Sequence, residues 1–382
     1  MKKMLMTATV PSMIGQFNMN NIDILQKLGY EVHIGCNFED RSVWTKERVT
    51  KFKDDVNNMN IICHQIDFAR SPLGIGNDIK SFKQMDKLFK ENNFEFVHCH
   101  TPVAGVISRL VAHIHGVKTI YTAHGFHFYD GAPKKNWIIF YPIEKFFSRW
   151  TDILITITRE DYKRASEKFH AKEVKYVPGV GVDISKFSKI NNNREQLRKS
   201  LNVDDDELML LSVGELNENK NHSSVIKALG ELRDKRIKYY IAGNGHLKEY
   251  LVMLAKERCI DNKIVLLGFR SDIPELMQAA DIYILPSIRE GLNVSLMEAM
   301  ASGLPCLCGN IRGNIDLIEE KSGGYLFNAN SINSIKEKIS LLIDDSGKQK
   351  MKDFNQNKVN SFSKDVVSQS MKALYIQISK TK

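Results

Sequence analysis

Short apolar runs alternate with helix-forming stretches along this chain, and that alternation constrains its fold more than any other feature. Met4–Val10, Glu31–Cys36, Ile61–Ile66, Phe96–His100, Thr119–Ala123 and Ile153–Thr158 read as strands. Between them, Asn18–Leu28, Ile79–Asn92, Val103–Gly116 and Arg159–Phe169 have helical periodicity or helix-forming composition. Such alternation predicts a parallel sheet covered on both faces, an α/β fold. Ligands of these sheets gather in the loops beyond the carboxyl ends of the strands. The alternation restarts at Glu207, and 382 residues exceed one ordinary domain. Two domains are therefore expected, 1–190 and 191–360, divided near residue 190 in the polar stretch Lys189–Lys199, with a helical tail over 361–382.

Composition removes several function classes. A net charge of +9 favours anionic partners, but no nucleic-acid-binding motif accompanies it. The longest apolar runs, such as Trp137–Ile143, fall far short of the ~20 residues that span a bilayer. The start MKKMLMTATV reads as a first strand, so cytoplasmic residence is expected. The six cysteines lack the pairing of a zinc site or a disulfide framework, and Cys99, flanked by His98 and His100, has no second ligand cluster. Cys306 and Cys308 alternate as on one face of a buried strand. The D-x-D within Asp204–Asp206 stands in a turn and reads as solvated charge, so no metal ligand is assigned. No P-loop occurs, and the G-x-G after Lys238–Ala242 lacks the third glycine of a dinucleotide fingerprint.

Arg289–Pro305, REGLNVSLMEAMASGLP, carries the strongest chemistry. A buried strand, Ala280–Ser287, feeds this loop, and a helix is expected from about Asn293 to the Gly303 and Pro305 stop signals. Unpaired N–H groups and roughly half a positive charge make a helix start an anion seat. Glu290 precedes that helix and Glu298 lies eight residues later, within it. Carboxylates pair with hydroxyls and a helix start pairs with phosphate, so a nucleotide sugar fits. Two solvated glutamates fit as well, and spacing alone leaves both open.

Other loops add candidates. His124 and Gly125 follow a strand, where a histidine either meets a ligand or serves structure. Lys220, on the loop before a helix near Ser223, can neutralise a diphosphate as a point charge. Asn219 and Asn221 beside it are equally good turn residues. Lys134–Trp150 mixes Trp137, Phe140, Phe146 and Trp150 with Lys134, Lys135, Lys145 and Arg149, and Pro142 is expected to interrupt any single helix. This segment reads either as an interfacial element on an anionic membrane or as a buried helix with a basic rim.

The E-x7-E of Glu290 and Glu298 in its strand, loop and helix setting resembles the signature of family 4 retaining glycosyltransferases of the GT-B fold, and SVGELNENKNH resembles bacterial capsule and exopolysaccharide enzymes of the CapM-like type. The resemblance spans nearly the whole chain and implies two Rossmann-like domains facing across a cleft, the first on the acceptor side with the C-terminal helix packing back on it. It implies a hexosyltransferase with a UDP-sugar donor, a polyprenyl-diphosphate-linked saccharide acceptor, no metal cofactor, and a place on the inner face of the cell membrane. Residue by residue, it gives Glu298 the ribose hydroxyls, and gives Lys220 and the N–H groups of Val294 and Ser295 the diphosphate. Glu290 takes the donor sugar, and the backbone near Phe269 and Arg270 takes the nucleobase. His124 would lie near the donor sugar and the acceptor. Gly291, Leu292, Asn293 and Asn219 fall in the same loops, and Gly15 and Gly214 stand where backbone approaches the ligand. The chain departs from the pattern in two places: it has one glycine in its first loop, and Glu215 where an arginine is expected. A nucleotide-sugar 2-epimerase of the same fold and a non-catalytic membrane scaffold are the alternatives.

Overall fold

The computed structural model describes residues 1–70, 75–188, 193–234, 236–344 and 346–380, without the side chains of 75–77. They form two compact units, Met1–Val180 with Val367–Lys382, and Gly181–Val366. The boundary expected near residue 190 lies among 189–192, outside the described residues.

The first unit is built on seven parallel strands: β1 (Lys2–Thr7), β2 (Tyr30–Cys36), β3 (Ile62–Gln65), β4 (Phe94–His100), β5 (Lys118–Ala123), β6 (Ile153–Thr156) and β7 (Glu173–Tyr176). Their order is β3-β2-β1-β4-β5-β6-β7, so the chain reverses its direction of travel between β1 and β4. The five inner strands are largely buried on both faces, as covered parallel sheets require, while the edge strands β3 and β7 are partly exposed. The C-terminal helix Lys364–Lys380 closes one face with Val367, Met371, Leu374, Tyr375 and Ile378, which join Met4, Ile34 and Phe96 in one core. Each such side chain contributes about 1.5–3 kcal/mol by leaving water.

Two local expectations fail in this unit. Gly15 is not in a glycine turn: Pro11–Phe17 is a helix with Pro11 at its first position. A Cβ on Gly15 would stand 2.5 Å from the Trp44 ring, so the glycine there serves packing. Nor does Pro142 break its segment, since Lys134–Phe147 is one helix. Four residues before the proline is Ile138, 74% exposed, so a carbonyl left unpaired there can turn to water. The inner face of this helix sets Trp137, Phe140 and Tyr141 against Phe126 and Phe128, while Ile138, Ile139 and Phe146 remain exposed. Cys99 faces that second core and not its histidine neighbours, because side chains alternate along a strand.

The second unit has six parallel strands: β8 (Leu208–Val213), β9 (Ile237–Ala242), β10 (Ile264–Gly268), β11 (Ile282–Leu285), β12 (Cys306–Gly309) and β13 (Gly324–Phe327). Their order, β10-β9-β8-β11-β12-β13, places the reversal between β8 and β11. Alternation is plain in β12, where Cys306 and Cys308 enter one core and Leu307 the opposite one.

Candidate active site

In the second unit the loops after β8 and β11 flank the point of reversal, where open α/β sheets hold ligands. Lys220 comes from the first loop and Glu290 from the second, and Lys220 Nζ lies 2.6 Å from Glu290 Oε1. Gly214 makes room for this pair, since a Cβ there would stand 3.2 Å from Lys220 Cε. Asn219 clasps the two loops: its Nδ2 donates to the Arg289 carbonyl at 3.0 Å and its own carbonyl accepts from Ile288 N–H at 2.8 Å. Asn221, in the left-handed region at φ 55°, donates to the Pro286 and Ala329 carbonyls. Both asparagines are thus committed to loop geometry. Gly313, at φ +83°, passes so close to the Gly291 carbonyl that a Cβ would lie 1.7 Å from the oxygen, which fixes the loop from the far side.

The helix Val294–Ala301 starts as its sequence requires, with Asn293 as N-cap accepting from Leu296 N–H at 3.1 Å. Among the described residues, nothing bonds the N–H groups of Val294 and Ser295. The Ser295 hydroxyl is taken up by Tyr283 at 2.6 Å and Asn293 Oδ1 at 2.8 Å, and Leu292 is 8% exposed, so both meet a ligand only through backbone. Glu298, one turn into the helix, has no side-chain partner among the described residues. Burial pushes its carboxyl up to about 7, against the weaker opposing fields of Lys186 and Lys364. Beyond β10, Phe269 is 80% exposed, whereas the Arg270 guanidinium is held by Asp272 at 2.7 Å, leaving its backbone free. Glu215, in place of the expected arginine, is exposed and accepts from Asn217 Nδ2 at 2.9 Å.

In the first unit the carboxyl ends of β4 and β5 bring three histidines together. His98 is locked between Tyr375 Oη, 2.9 Å from Nδ1, and Thr122 Oγ1, 2.8 Å from Nε2. His100 Nδ1 lies 3.0 Å from His124 Nε2, and His100 Nε2 is buried without a partner among the described residues. Burial lowers all three, His98 to about 3 and His124 to about 4, so each is neutral at pH 7. As donor or as acceptor, the unmade His100 Nε2 costs about 1–3 kcal/mol. One proton lies between His100 Nδ1 and His124 Nε2 and joins the two imidazoles. The sequence offers His100 only as a neighbour of Cys99, although its register beside His98 at a strand's carboxyl end is a readable signal for this cluster.

Among the described residues no three His, Cys, Asp or Glu side chains gather as a metal site. Asp204, Asp205 and Asp206 are exposed in a turn before β8.

Two parallel-sheet domains, each with polar side chains gathered at the strands' carboxyl ends, are common to many ligand-binding α/β enzymes, and sequence comparison is specific where the fold is not. Residues 19–186 match the family described as Glycosyltransferase Family 4, and residues 193–360 match Glycosyl transferases group 1. The chain is 34% identical to EpsD of Bacillus subtilis, named as a glycosyltransferase, over 85% of this chain and 83% of that one. It belongs to the family 4 glycosyltransferases of the GT-B fold. A UDP-Gal:alpha-D-GlcNAc-diphosphoundecaprenol alpha-1,3-galactosyltransferase of Escherichia coli is 29% identical over 79% of this chain and 80% of its own. Among solved structures, Anabaena HepE in complex with UDP and glucose superposes with a TM-score of 0.77, at 18% identity, over 99% of this chain and 100% of that chain.

Proposed function

We propose that this glycosyltransferase moves a sugar of the N-acetylated hexosamine type from a UDP-sugar to a saccharide carried on a polyprenyl diphosphate, with retention, in capsule or exopolysaccharide assembly. Glu298 carries the donor half of this conclusion. A carboxyl shielded from water without a protein partner costs stability, and a ligand presenting hydroxyls would offset that cost. Ribose does so, while the free N–H groups of Val294 and Ser295 and the Lys220 ammonium suit its diphosphate. HepE was solved with UDP and glucose, and the Escherichia coli relative is named for a sugar on diphosphoundecaprenol, which supports both substrate classes.

Lys220 can keep Glu290 and still offer two hydrogens to the diphosphate. As the bond from the sugar's anomeric carbon to the diphosphate oxygen breaks, negative charge grows on that oxygen, and Lys220 with the helix start stabilises it. Glu290 accepts a hydroxyl of the donor sugar and so fixes the ring. The acceptor hydroxyl attacks from the face the diphosphate leaves, and the departing phosphate takes its proton. Lys220 and the helix start take the electrostatic task that a metal performs elsewhere. His124 contributes a neutral imidazole through Nδ1. The enzyme then works in the cytoplasm, at the inner face of the membrane that holds its acceptor. No helix of the described residues is long and apolar enough to cross a membrane.

The test uses the pH dependence of Glu298. Its folded pKa, about 7, is raised above the ordinary carboxylate value, so between roughly pH 4.5 and 7 the unfolded chain binds fewer protons and stability falls as pH rises. Ribose hydroxyls favour the ionised form, so affinity for UDP-GlcNAc, whose phosphates do not titrate in this range, should rise from pH 5.5 and level off above pH 7. Calorimetry below pH 7 should show proton release on binding. Glu298→Gln should abolish that release, flatten the profile and unfold at higher temperature than the wild type at pH 8. Equal pH profiles for wild type and variant would remove Glu298 from the donor site.

A further inference from the structure

Between the helices Ile75–Glu91, Pro102–Ile114 and Lys134–Phe147 of the first unit lies an apolar cavity of about 450 Å³, which the site described above does not use. Its walls are side chains such as Phe82, Val103, Val106, Leu110, Phe140 and Ile143. We propose that this groove receives the first isoprenoid units of the acceptor's polyprenyl chain, an inference that rests on the lipid-linked acceptor proposed above.

Three observations select that occupant. The first is continuity with the carboxyl edge of the sheet. Pro102 and Val103 line the groove and begin the helix that follows His100, and Leu110 lies about 12 Å further along it. A chain lying in the groove with its diphosphate at the Pro102 end leaves its saccharide at the end of the sheet where His100 and His124 stand. The second is the surface beside the groove. From Ile143 the apolar strip continues onto exposed Ile139 and Phe146, with Ile79 exposed on the opposite wall. Exposed apolar surface that runs into a cavity suits a chain entering from a bilayer.

The third is charge. Lys134, Lys135, Lys145 and Arg149 lie on this helix and the turn that follows, and among the described residues no ion pair holds any of them. The one acid of the helix, Glu144, is buried on Arg109 at 2.9 Å and Tyr121 at 2.8 Å, so it does not offset them. A diphosphate and the anionic lipids around it complement four unpaired cations. Asp78 also lines the groove; burial raises its carboxyl, and its Oδ1 is buried without a partner among the described residues.

The experiment compares one saccharide diphosphate on a long polyprenyl chain and on a short soluble chain, in detergent. The wild type should prefer the long chain in kcat/KM. Val106→Trp, which fills the groove, and Leu110→Asp, which places a charge in it, should each cut the long-to-short ratio tenfold or more. A long-chain analogue bearing a photoreactive group on its first isoprene unit should label peptides from 102–110 or 140–147. An unchanged ratio in both variants, labelling elsewhere, or a dimer of the wild type that Val106→Trp dissociates would overturn the proposal. The labelling needs no turnover. Labelled groove peptides without transfer to either acceptor would therefore keep the groove and discard the lipid-linked transferase, whereas transfer with label elsewhere would do the reverse.

Discussion

Lys220→Ala should lower kcat by about 10²–10³-fold, the loss that follows removal of one donor aimed at developing charge. The effect should fall on kcat more than on KM, because the lysine gains most as charge moves onto the leaving diphosphate. The variant also strips Glu290 of its 2.6 Å partner, so a part of the loss would come from a misplaced donor sugar. Lys220→Arg separates the two causes: it keeps the charge but replaces a compact ammonium by a planar fork, and should recover only a part of the rate. Chelation of divalent metal should leave wild-type turnover unchanged. Strict dependence on added magnesium, or a Lys220→Ala enzyme within threefold of wild type, would contradict the electrostatic role given to this residue.

Glu144→Ala should cost the first unit about 3–5 kcal/mol, because it leaves the guanidinium of Arg109, 0% exposed, without its counter-ion. Glu144 accepts from Arg109 Nη2 at 2.9 Å and from Tyr121 Oη at 2.8 Å, and the guanidinium lies over the Tyr121 ring at 4.1 Å. These contacts tie the Lys134–Phe147 helix to the sheet. The double variant Arg109→Met with Glu144→Leu should regain most of the loss, since apolar groups of similar volume replace buried ion pairs with little penalty. The three tryptophans, Trp44, Trp137 and Trp150, all lie in the first unit, so their fluorescence in a denaturant titration reports on it alone. A loss under 1 kcal/mol for Glu144→Ala would show that the pair carries no structural weight.

What could be read from the chain is what depends on local pattern. The strand and helix alternation, the helix start near Asn293 and the E-x7-E spacing are short-range features, and the structure contains each of them. Gly15 was misread because a glycine after a strand looks like a turn, although Pro11 ahead of it is an equally local helix-start signal. Pro142 was misread for the opposite reason: its cost to a helix is real, but it stands on an exposed face where water can satisfy the freed carbonyl. The Arg109–Glu144 pair joins residues 35 positions apart, and the Asn219 clasp reaches 70, so no local pattern announces either. The same holds for the Lys220–Glu290 pair. Each residue was legible as a candidate, but their meeting depends on β8 and β11 being neighbours at the reversal of strand order.

Nucleotide release from a panel of UDP- and GDP-sugars, with and without a polyprenyl-diphosphate saccharide and with every product identified by mass spectrometry, tests the transferase directly. The expected result is UDP release that requires the acceptor, together with a mass gain of one N-acetylated hexosamine on it. Slow UDP release with an isomeric sugar and no effect of acceptor would contradict transfer and identify a 2-epimerase acting on the same nucleotide sugar.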